Sequence, residues 1–406
     1  KNREEIPLSI LIVGAGHAAG QAAASLRQEK YEGKIIVFGD EPVLPYQRPP
    51  LSKAYLSGDQ EQEKLLLRAA AFYEKQNIEV KTSTSVTEIN PQNSTIRIDD
   101  REDLSFEHLL IATGSRVRKI NVSGSELNNI HYLRTIEDVD QIRSGMAKDK
   151  ELVIVGGGYI GLEVAAIATQ AGMNVRVLET EDRVLQRVTT PTMSNYYTLL
   201  HEKRGVRIHT KTRVIGFEGE SSVERVICEN DVFDADLVIV GIGIIPNSEL
   251  AEKAGIACEN GITVDERCQT SIPRIYAAGD CTNHPNPLLN RRLRLESVPN
   301  AMEQARVCAA NMVGKDKIYS SIPWFWSDQY ELKLQMVGFS SDGDSEVVRG
   351  DMDANQFSVF HVKENKVMAA DSVNSPKDFM ICKQLIGKEV DLDKLLDESV
   401  ELKSML

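Results

Sequence analysis

Residues 14–19, Gly-Ala-Gly-His-Ala-Ala, and residues 156–161, Gly-Gly-Gly-Tyr-Ile-Gly, decide the fold of this 406-residue chain. Each stretch follows an apolar run and precedes an Ala-rich segment. In a dinucleotide-binding fingerprint the first glycine makes a tight strand-to-helix turn, the second lets the backbone approach a pyrophosphate, and the third position must be small. One copy alone is weak, but two copies in this context predict two bound dinucleotides. The fingerprint positions are Gly14, Gly16 and Ala19 in the first copy and Gly156, Gly158 and Gly161 in the second.

The residue after the second strand of each unit indicates which dinucleotide is bound. Residues 175–178 form an apolar strand that ends at Glu179. A carboxylate there accepts hydrogen bonds from ribose hydroxyls and repels a 2′-phosphate, which favours NADH over NADPH. Arg183 and Arg187 follow closely and offer the alternative, a phosphate site. In the first copy, either Asp40 or Glu41 is placed to bind the ribose.

Composition excludes several classes of protein. A net charge of −13 argues against general nucleic-acid binding. The six cysteines and seven histidines are scattered without metal-ligand spacing, so we predict no metal site and reduced, mostly buried thiols. The longest strongly apolar run, near residues 237–245, is too short to span a bilayer, and no charged-then-apolar leader precedes the first strand. These features predict a cytoplasmic protein without a membrane partner.

Strand–helix alternation runs from Leu8 to about residue 118 and begins again at residues 152–245. Residues 109–114 and 237–243 are apolar strands that would each close a sheet. From Pro323 onward the pattern becomes β-rich, and a helix is predicted over residues 376–386. The fold class is therefore α/β, with two Rossmann-type dinucleotide-binding domains and a C-terminal α+β domain.

Several motifs across the chain resemble the NADH-dependent FAD ferredoxin reductases of bacterial oxygenase systems, which are two-dinucleotide-binding flavoproteins with a glutathione-reductase-like fold. The motifs lie at residues 48–53 (RPPLSK), 112–114 (ATG), 156–163, 278–280 (AGD), 296–300 (ESVPN) and 324–329 (WFWSDQ). The resemblance implies an FAD-binding domain at 1–118 and 246–321, an NAD-binding domain at 119–245 and a C-terminal domain at 322–406.

The resemblance also assigns cofactor contacts. Asp280 would lie near the flavin ribityl or pyrophosphate, and Val298 would offer backbone groups to the flavin from a helix N-terminus. The other implied FAD-site residues are Arg48, Lys53, Ala112, Thr113, Gly114, Ser297, Trp324 and Trp326. The other implied NADH-site residues are Ile160, Arg187 and Gly243.

Lys53, Glu163 and Tyr159 are the candidate catalytic residues. The resemblance implies that Lys53 and Glu163 pair near the isoalloxazine and nicotinamide, and that Tyr159 covers the nicotinamide pocket. Hydride transfer needs no proton donor, so we assign the pair to positioning and charge tuning. The alternatives are a surface salt bridge for the pair and a packed turn aromatic for Tyr159.

The absence of a cysteine motif near the first fingerprint indicates which kind of electron acceptor the protein uses. Disulfide reductases of this superfamily need a reactive dithiol beside the flavin, and peroxide-type oxidases need one reactive cysteine there. Residues 44–53 contain no cysteine, and Cys281 is expected to be buried. Electrons therefore leave one at a time, which suits a 2Fe-2S ferredoxin that serves a Rieske oxygenase or a cytochrome P450. The alternatives are an NADH oxidase or diaphorase that uses oxygen or quinone, and a redox-sensing flavoprotein like apoptosis-inducing factor.

An acidic reductase needs a local basic face to dock an acidic ferredoxin. The arginines at 291, 292 and 294 form one such cluster just before the 296–300 motif. A solvated surface is the alternative for these arginines. One of Trp324 and Trp326 is expected beside the isoalloxazine near this face, and core packing is the alternative for the other. The docking candidates are Arg291, Arg292, Arg294, Arg68, Arg306 and Lys333.

Overall fold

A computed structural model describes residues 9–406, which form two compact units. The first unit contains the described residues up to Gln47, Gln62–Arg116 and Ile244–Ser321. The second contains Arg48–Glu61, Val117–Gly243 and Ile322–Leu406. The functional boundaries at 118, 245 and 321 stay predictions, and residues 1–8 of the first domain lie outside the described residues.

The first unit is built on a five-stranded parallel sheet. In spatial order its strands are Ile275–Ala277, His108–Ile111, Ser9–Val13, Lys34–Phe38 and Ile78–Lys81. Strand residues alternate between the two faces. Ile10 and Ile12 pack in one buried cluster with Ala22 and Ala305 of two helices, whereas Leu11 packs in the opposite cluster. Both faces are therefore covered, which explains the continuous apolar runs.

Smaller elements complete the first unit. Its helices are His17–Gln28, Ala70–Lys75, Glu249–Lys253 and Val298–Met312, with a 3-10 turn at Gln62–Leu65. One antiparallel sheet contains Val86–Asn90, Thr95–Ile98 and Glu102–Ser105. A mixed sheet contains Ile262–Thr263, Thr282–Asn286 and Arg291–Leu293, of which the first two pair in parallel and the last two antiparallel. A further short strand is Ile244–Pro246, and the strand Ser115–Val117 begins in this unit and ends at the first residue of the next segment.

The second unit repeats the parallel design. Its strands, in spatial order, are Arg207–His209, Asn174–Leu178, Glu151–Val155, Leu237–Val240 and Ile130–His131. Its helices in this part are Ala54–Ser57, Ile136–Gly145, Tyr159–Gln170 and Pro191–Lys203, with a 3-10 turn at Pro49–Ser52. A small antiparallel sheet contains Val214–Glu218, Arg225–Cys228 and Val232–Asp234. The internal repeat predicted from the fingerprints is confirmed.

The C-terminal part of the second unit is an antiparallel five-stranded sheet. Its spatial order is Trp324–Gln329, Leu332–Gly338, Lys366–Val373, Gln356–Lys363 and Ser345–Asp351. Helices Pro376–Leu385 and Leu392–Leu396 and 3-10 turns Ser340–Asp342 and Leu402–Met405 complete it. The predicted α+β class is confirmed. Sequence reasoning missed the strand at Trp324–Gln329 and the short helix at Leu392–Leu396.

Candidate functional site

The first fingerprint forms a turn that only glycine can make. Gly14 has a φ of +109°, and a Cβ there would lie 2.1 Å from the carbonyl oxygen of Ala112. A Cβ on Gly16 would meet no atom within 4 Å, so open space borders the turn. Helix His17–Gln28 begins there without a side-chain cap. Its first N–H groups therefore fit the pyrophosphate of a dinucleotide.

Two carboxylates lie beyond the adjacent strand. Glu41 accepts a 2.6 Å hydrogen bond from the hydroxyl of Tyr46, and Asp40 is exposed. The structure thus gives Glu41 a protein partner, and Asp40 is the more exposed of the two carboxylates.

A second turn in the first unit is held by side chains. The N–H of Gly279 donates to Oε1 of Gln304 at 2.8 Å, and Asp280 accepts from the hydroxyl of Ser115 at 2.8 Å. Ser297 caps helix Val298–Met312 by accepting from the N–H of Asn300. Thr113 donates to the carbonyl of Asn247 at 2.6 Å. The motif residues Ala112, Thr113 and Gly114 and the 278–280 and 296–300 segments all belong to this unit.

The second fingerprint has the same construction. Gly156 has a φ of +113°, and a Cβ there would lie 2.2 Å from the carbonyl oxygen of Gly241. A Cβ on Gly161 would lie 2.3 Å from the carbonyl oxygen of Gly156, whereas Gly158 faces open space. Helix Tyr159–Gln170 starts at Gly158 without a side-chain cap. This turn also fits a pyrophosphate.

Glu179 lies beside the second turn. One carboxylate oxygen accepts from the N–H of Gly157 at 2.7 Å, and the other accepts from the N–H of Glu181 at 2.9 Å. Arg183 donates to the carbonyl of Thr189 and the hydroxyl of Ser194, and so braces its own loop. This binding of Arg183 within its loop argues against the alternative of a phosphate site at that residue.

The remaining predicted NADH-site residues are placed around this turn. Arg187 is 77% exposed, with its guanidinium 3.4 Å from Glu181. Ile160 is exposed on the first helical turn. Gly243 adopts a φ of +104°, and its carbonyl accepts from the N–H of Arg118.

Lys53 and Glu163 form a buried ion pair in the second unit. Their side chains are 19% and 4% exposed, and Nζ of Lys53 lies 2.9 Å from Oε2 of Glu163. Ser52 also donates to Oε2, and Ser327 donates to Oε1 at 2.7 Å. A buried carboxylate is costly unless it is paired and hydrogen-bonded. Glu163 meets both conditions, so the alternative of a surface salt bridge is wrong.

Tyr159 begins the fingerprint helix and packs against the C-terminal sheet. Its hydroxyl lies 2.7 Å from the sulfur of Met336, and its ring meets Phe325 edge-on at 5.1 Å between centroids. Burial raises the pKa of its hydroxyl.

The other motif residues of the second unit also have protein partners. Arg48 donates to the carbonyl of Arg134 at 2.7 Å. Trp324 packs against Phe379, and the ammonium of Lys383 lies 4.6 Å from a Trp324 ring. Trp326 lies 5.9 Å from Trp324 between ring centroids.

The cysteines are free, and all except the partly exposed Cys258 are buried. Burial raises the pKa of Cys281 to about 11 and that of Cys382 to about 12. A thiol in such surroundings is a poor nucleophile. The prediction of unpaired, mostly buried thiols is confirmed.

The arginine cluster has structural contacts. Arg292 donates to the carbonyls of Val264 and Asn283, and Arg294 pairs with Glu296 at 2.7 Å. Arg291 is exposed on the same short strand. The docking role of the cluster stays a prediction, as do those of Arg68, Arg306 and Lys333.

Within residues 9–406, no helix combines the length and apolarity needed to cross a membrane. The same residues contain no group of three or more His, Cys, Asp or Glu placed to hold a metal ion.

Sequence reasoning missed three residues that position the site. Ser52 and Ser327 donate hydrogen bonds to Glu163, and Gln304 accepts one from the N–H of Gly279. Ser52 and Ser327 lie inside motifs quoted above, at 48–53 and 324–329. Membership of those motifs was the signal that could have identified the two serines, because a single serine does not alter the periodicity of apolar residues.

Comparisons with known proteins agree with this architecture. Residues 8–305 match the family model "Pyridine nucleotide-disulphide oxidoreductase", and residues 324–406 match "Reductase C-terminal". The chain is 46% identical to putidaredoxin reductase CamA of Pseudomonas putida, over 98% of this chain and 96% of that protein. It is 40% identical to the ferredoxin–NAD(+) reductase component of the anthranilate 1,2-dioxygenase system of Burkholderia cepacia, over 98% of both chains.

A solved structure is equally similar. The covalent putidaredoxin reductase–putidaredoxin complex contains a chain that matches with a TM-score of 0.95 and 46% identity, over 98% of this chain and 97% of that one. The resemblance predicted from the motifs is confirmed. The chain belongs to the pyridine nucleotide-disulphide oxidoreductase family and carries the family's reductase C-terminal domain.

Proposed function

We propose that this protein is an NADH-dependent FAD reductase that passes single electrons to a 2Fe-2S ferredoxin, which in turn supplies a Rieske oxygenase or a cytochrome P450. The observation that carries the proposal is the pair of fingerprint turns, each with open space at its second glycine. Relatives of nearly equal length bear the names of ferredoxin reductases. FAD and NAD(H) are the cofactors of this class of enzyme.

We assign the FAD to the first unit. Bound FAD supplies the chemistry that accepts a hydride and releases two electrons singly. The N–H groups around Gly14 and Gly16 bind the pyrophosphate, and Asp40 or Glu41 binds the ribose. Asp280 and the capped helix that begins at Val298 hold the flavin portion. A helix N-terminus there stabilises negative charge on the reduced ring.

We assign NADH to the second unit. Gly156, Gly158 and Gly161 form its pyrophosphate turn, and Glu179 accepts from the ribose hydroxyls. Glu179 already holds the Gly157 N–H, so the carboxylate is fixed before the nucleotide arrives. Such preorganisation lowers the entropy cost of binding.

Lys53 and Glu163 set the local charge beside the nicotinamide, and Tyr159 covers the nicotinamide pocket. A hydride carries its own electron pair, so neither residue needs to transfer a proton. Their role is to fix position and local field, which is the usual protein contribution in cofactor enzymes.

The acceptor is a one-electron carrier because the chain has no cysteine before Cys228. A disulfide relay next to the fingerprint segments therefore has no sulfur to use. Bound FAD would pass its electrons directly to a docked iron–sulfur protein. Arg291 and the other basic candidates form the docking surface.

The functional domains are 1–118 with 246–321 for FAD, 119–245 for NADH and 322–406 for the C-terminal domain. We place the enzyme in the cytoplasm, where buried, unpaired thiols such as those of Cys281 and Cys308 stay reduced.

Anaerobic reconstitution tests the function. The holoenzyme is mixed with NADH, then with a 2Fe-2S ferredoxin, while flavin and cluster absorbance are followed. Reduction of flavin and then cluster supports the proposal. Fast turnover with oxygen alone would instead favour an oxidase, and a long-lived reduced complex that ignores ferredoxin would favour a sensor.

A further inference from the structure

A chain of buried hydrogen bonds leads away from Glu163 through the C-terminal sheet. Ser327 donates to Oε1 of Glu163 at 2.7 Å, and Nε2 of Gln329 donates to Ser327 at 3.2 Å. Oε1 of Gln329 lies 2.8 Å from Nε2 of His201, whose Nδ1 lies 3.1 Å from the hydroxyl of Tyr330. Ser327, Gln329 and His201 are all fully buried.

The carboxylate at one end fixes the direction of every bond. An ionised carboxylate only accepts, so Ser327 must donate to Glu163 and accept from Gln329. Gln329 then faces His201 with its oxygen, which requires a proton on Nε2 of His201. Nδ1 is left as the acceptor for Tyr330. Burial lowers the pKa of His201 to about 4, so the ring is neutral at physiological pH, as this arrangement requires.

Reversing the donor and acceptor roles along these hydrogen bonds would destabilise the fold at Glu163. If His201 carried its proton on Nδ1, Gln329 would have to turn its amide nitrogen toward the ring. The hydroxyl of Ser327 would then donate to Gln329, and two oxygens would face each other at Glu163 without a proton between them. A buried acceptor that lacks a donor is destabilising, so the neighbours select one arrangement.

We propose that Ser327, Gln329 and His201 are positioning residues for the Glu163–Lys53 pair. Each carboxylate oxygen of Glu163 has its own anchor, because Ser52 and Lys53 hold Oε2 while Ser327 holds Oε1. The carboxylate therefore cannot rotate to release Lys53 without breaking a bond. This inference rests on the role of Glu163 in the proposed function.

The strand geometry explains why the C-terminal domain supplies these groups. Alternate residues of a strand point to the same face. Ser327 and Gln329 lie two apart in strand Trp324–Gln329, and both are fully buried. The C-terminal domain thus contributes the side chains of Ser327 and Gln329 to the surroundings of Glu163.

The test compares Ser327→Ala with Ser327→Thr, which keeps the hydroxyl, in the holoenzyme. Gln329→Met removes the next donor in case Ser327→Ala folds poorly. Ser358→Ala is the matched control, because Ser358 is a fully buried serine of the same sheet that bonds Ser372 instead. Each variant is also made together with Glu163→Gln. Stopped-flow flavin reduction by NADH, the FAD midpoint potential and thermal unfolding are measured.

Loss of a hydrogen bond to a charged group should slow flavin reduction by about tenfold in Ser327→Ala. We expect a smaller loss in Gln329→Met, recovery in Ser327→Thr and no change of rate in Ser358→Ala. The potential should move in the same direction as in Glu163→Gln. In the Glu163→Gln background, Ser327→Ala should add almost nothing.

Three results would overturn the inference: equal rates in Ser327→Ala and Ser358→Ala, full additivity of Ser327→Ala with Glu163→Gln, or an unchanged rate in Glu163→Gln alone. Each can occur while the wild-type enzyme still reduces ferredoxin with NADH. Failure of that wild-type reaction would reject the proposed function itself, so the two failures are distinguishable.

Discussion

A carboxylate oxygen of Glu179 accepts a 2.7 Å hydrogen bond from the backbone N–H of Gly157. The two residues are 22 positions apart in the sequence. The bond joins the end of one strand to the glycine turn of its neighbour. The carboxylate that we propose as the ribose ligand therefore also shapes the turn that we propose as the pyrophosphate site.

Replacing Glu179 with Ala should lower kcat/KM for NADH and narrow the preference over NADPH. The change removes acceptors for ribose hydroxyls and the brace on Gly157, at a cost of about 1 to 3 kcal/mol. The penalty on a 2′-phosphate falls at the same time. Steady-state kinetics with both cofactors measure the effect.

Asp182→Ala is the matched control, because Asp182 is an exposed acid of the same loop and forms a salt bridge with the exposed Lys211. It should leave the cofactor preference intact. Equal kcat/KM values for NADH and NADPH in the wild-type enzyme would contradict the assignment of Glu179.

No cysteine should take part in turnover. Five of the six thiols are buried, and burial raises the pKa of Cys281 and of partly exposed Cys258 to about 11. Alkylation of the native enzyme should therefore leave NADH-dependent ferredoxin reduction unchanged. Loss of activity in proportion to the labelling of one cysteine, with protection by NADH, would show that a thiol is used.

The arginine cluster should separate into a docking residue and structural residues. Arg292→Gln loses hydrogen bonds to Val264 and Asn283 and should lower the unfolding temperature. Arg291→Gln should instead slow association with ferredoxin at low salt, because exposed charges act mainly on the association rate. Salt at 0.1 M shortens the screening length to about 10 Å and should remove most of this difference.

Stopped-flow measurements separate the two half-reactions. Flavin reduction by NADH should be unchanged in Arg291→Gln. An unchanged ferredoxin rate and salt dependence in the triple change of Arg291, Arg292 and Arg294 to Gln would exclude this surface, and Arg68, Arg306 and Lys333 would be tested next.

Acid should destabilise the fold between about pH 6.5 and 4. Burial lowers the pKa of His201 to about 4, and burial together with the charge of nearby Arg292 lowers the pKa of His284 to about 4. Below the pKa of a histidine in the unfolded chain, that histidine is protonated in the unfolded state but not in the folded state. The free energy of unfolding therefore decreases as the pH falls, until the pKa of the histidine in the folded state is reached. Each histidine contributes a slope of at most about 1.4 kcal/mol per pH unit.

His284→Phe should flatten this dependence. Neither ring nitrogen of His284 has a hydrogen-bond partner among the described residues, and the ring packs against Tyr319. The change therefore removes the titration without breaking a hydrogen bond. Unfolding temperatures at pH 7, 6 and 5 measure it, and an unaltered slope in the variant would contradict the assignment.

Local patterns were enough to predict the architecture. The glycine turns, the strand just before Glu179 and the helix at Pro376–Leu385 depend on short-range rules of backbone and periodicity. The strand at Trp324–Gln329 was not predicted because its sequence, three aromatic residues followed by Ser-Asp-Gln, does not alternate between apolar and polar residues.

The hydrogen bonds that Ser52 and Ser327 donate to Glu163 could not be predicted in the same way. Ser52 and Ser327 lie 111 and 164 positions from Glu163 in the sequence. Only the tertiary fold brings those hydroxyls to the carboxylate. Arg292 was ambiguous for a similar reason, because an arginine that binds backbone carbonyls and one that faces solvent look alike in sequence.

The most direct test of the central claim is anaerobic stopped-flow of the FAD-loaded enzyme with NADH and a 2Fe-2S ferredoxin. We predict that NADH bleaches the flavin in a single fast phase, and that cluster reduction follows with two ferredoxins reduced for each NADH. Flavin that is not reduced by NADH, or reduced flavin that gives no electrons to the cluster, would contradict the account.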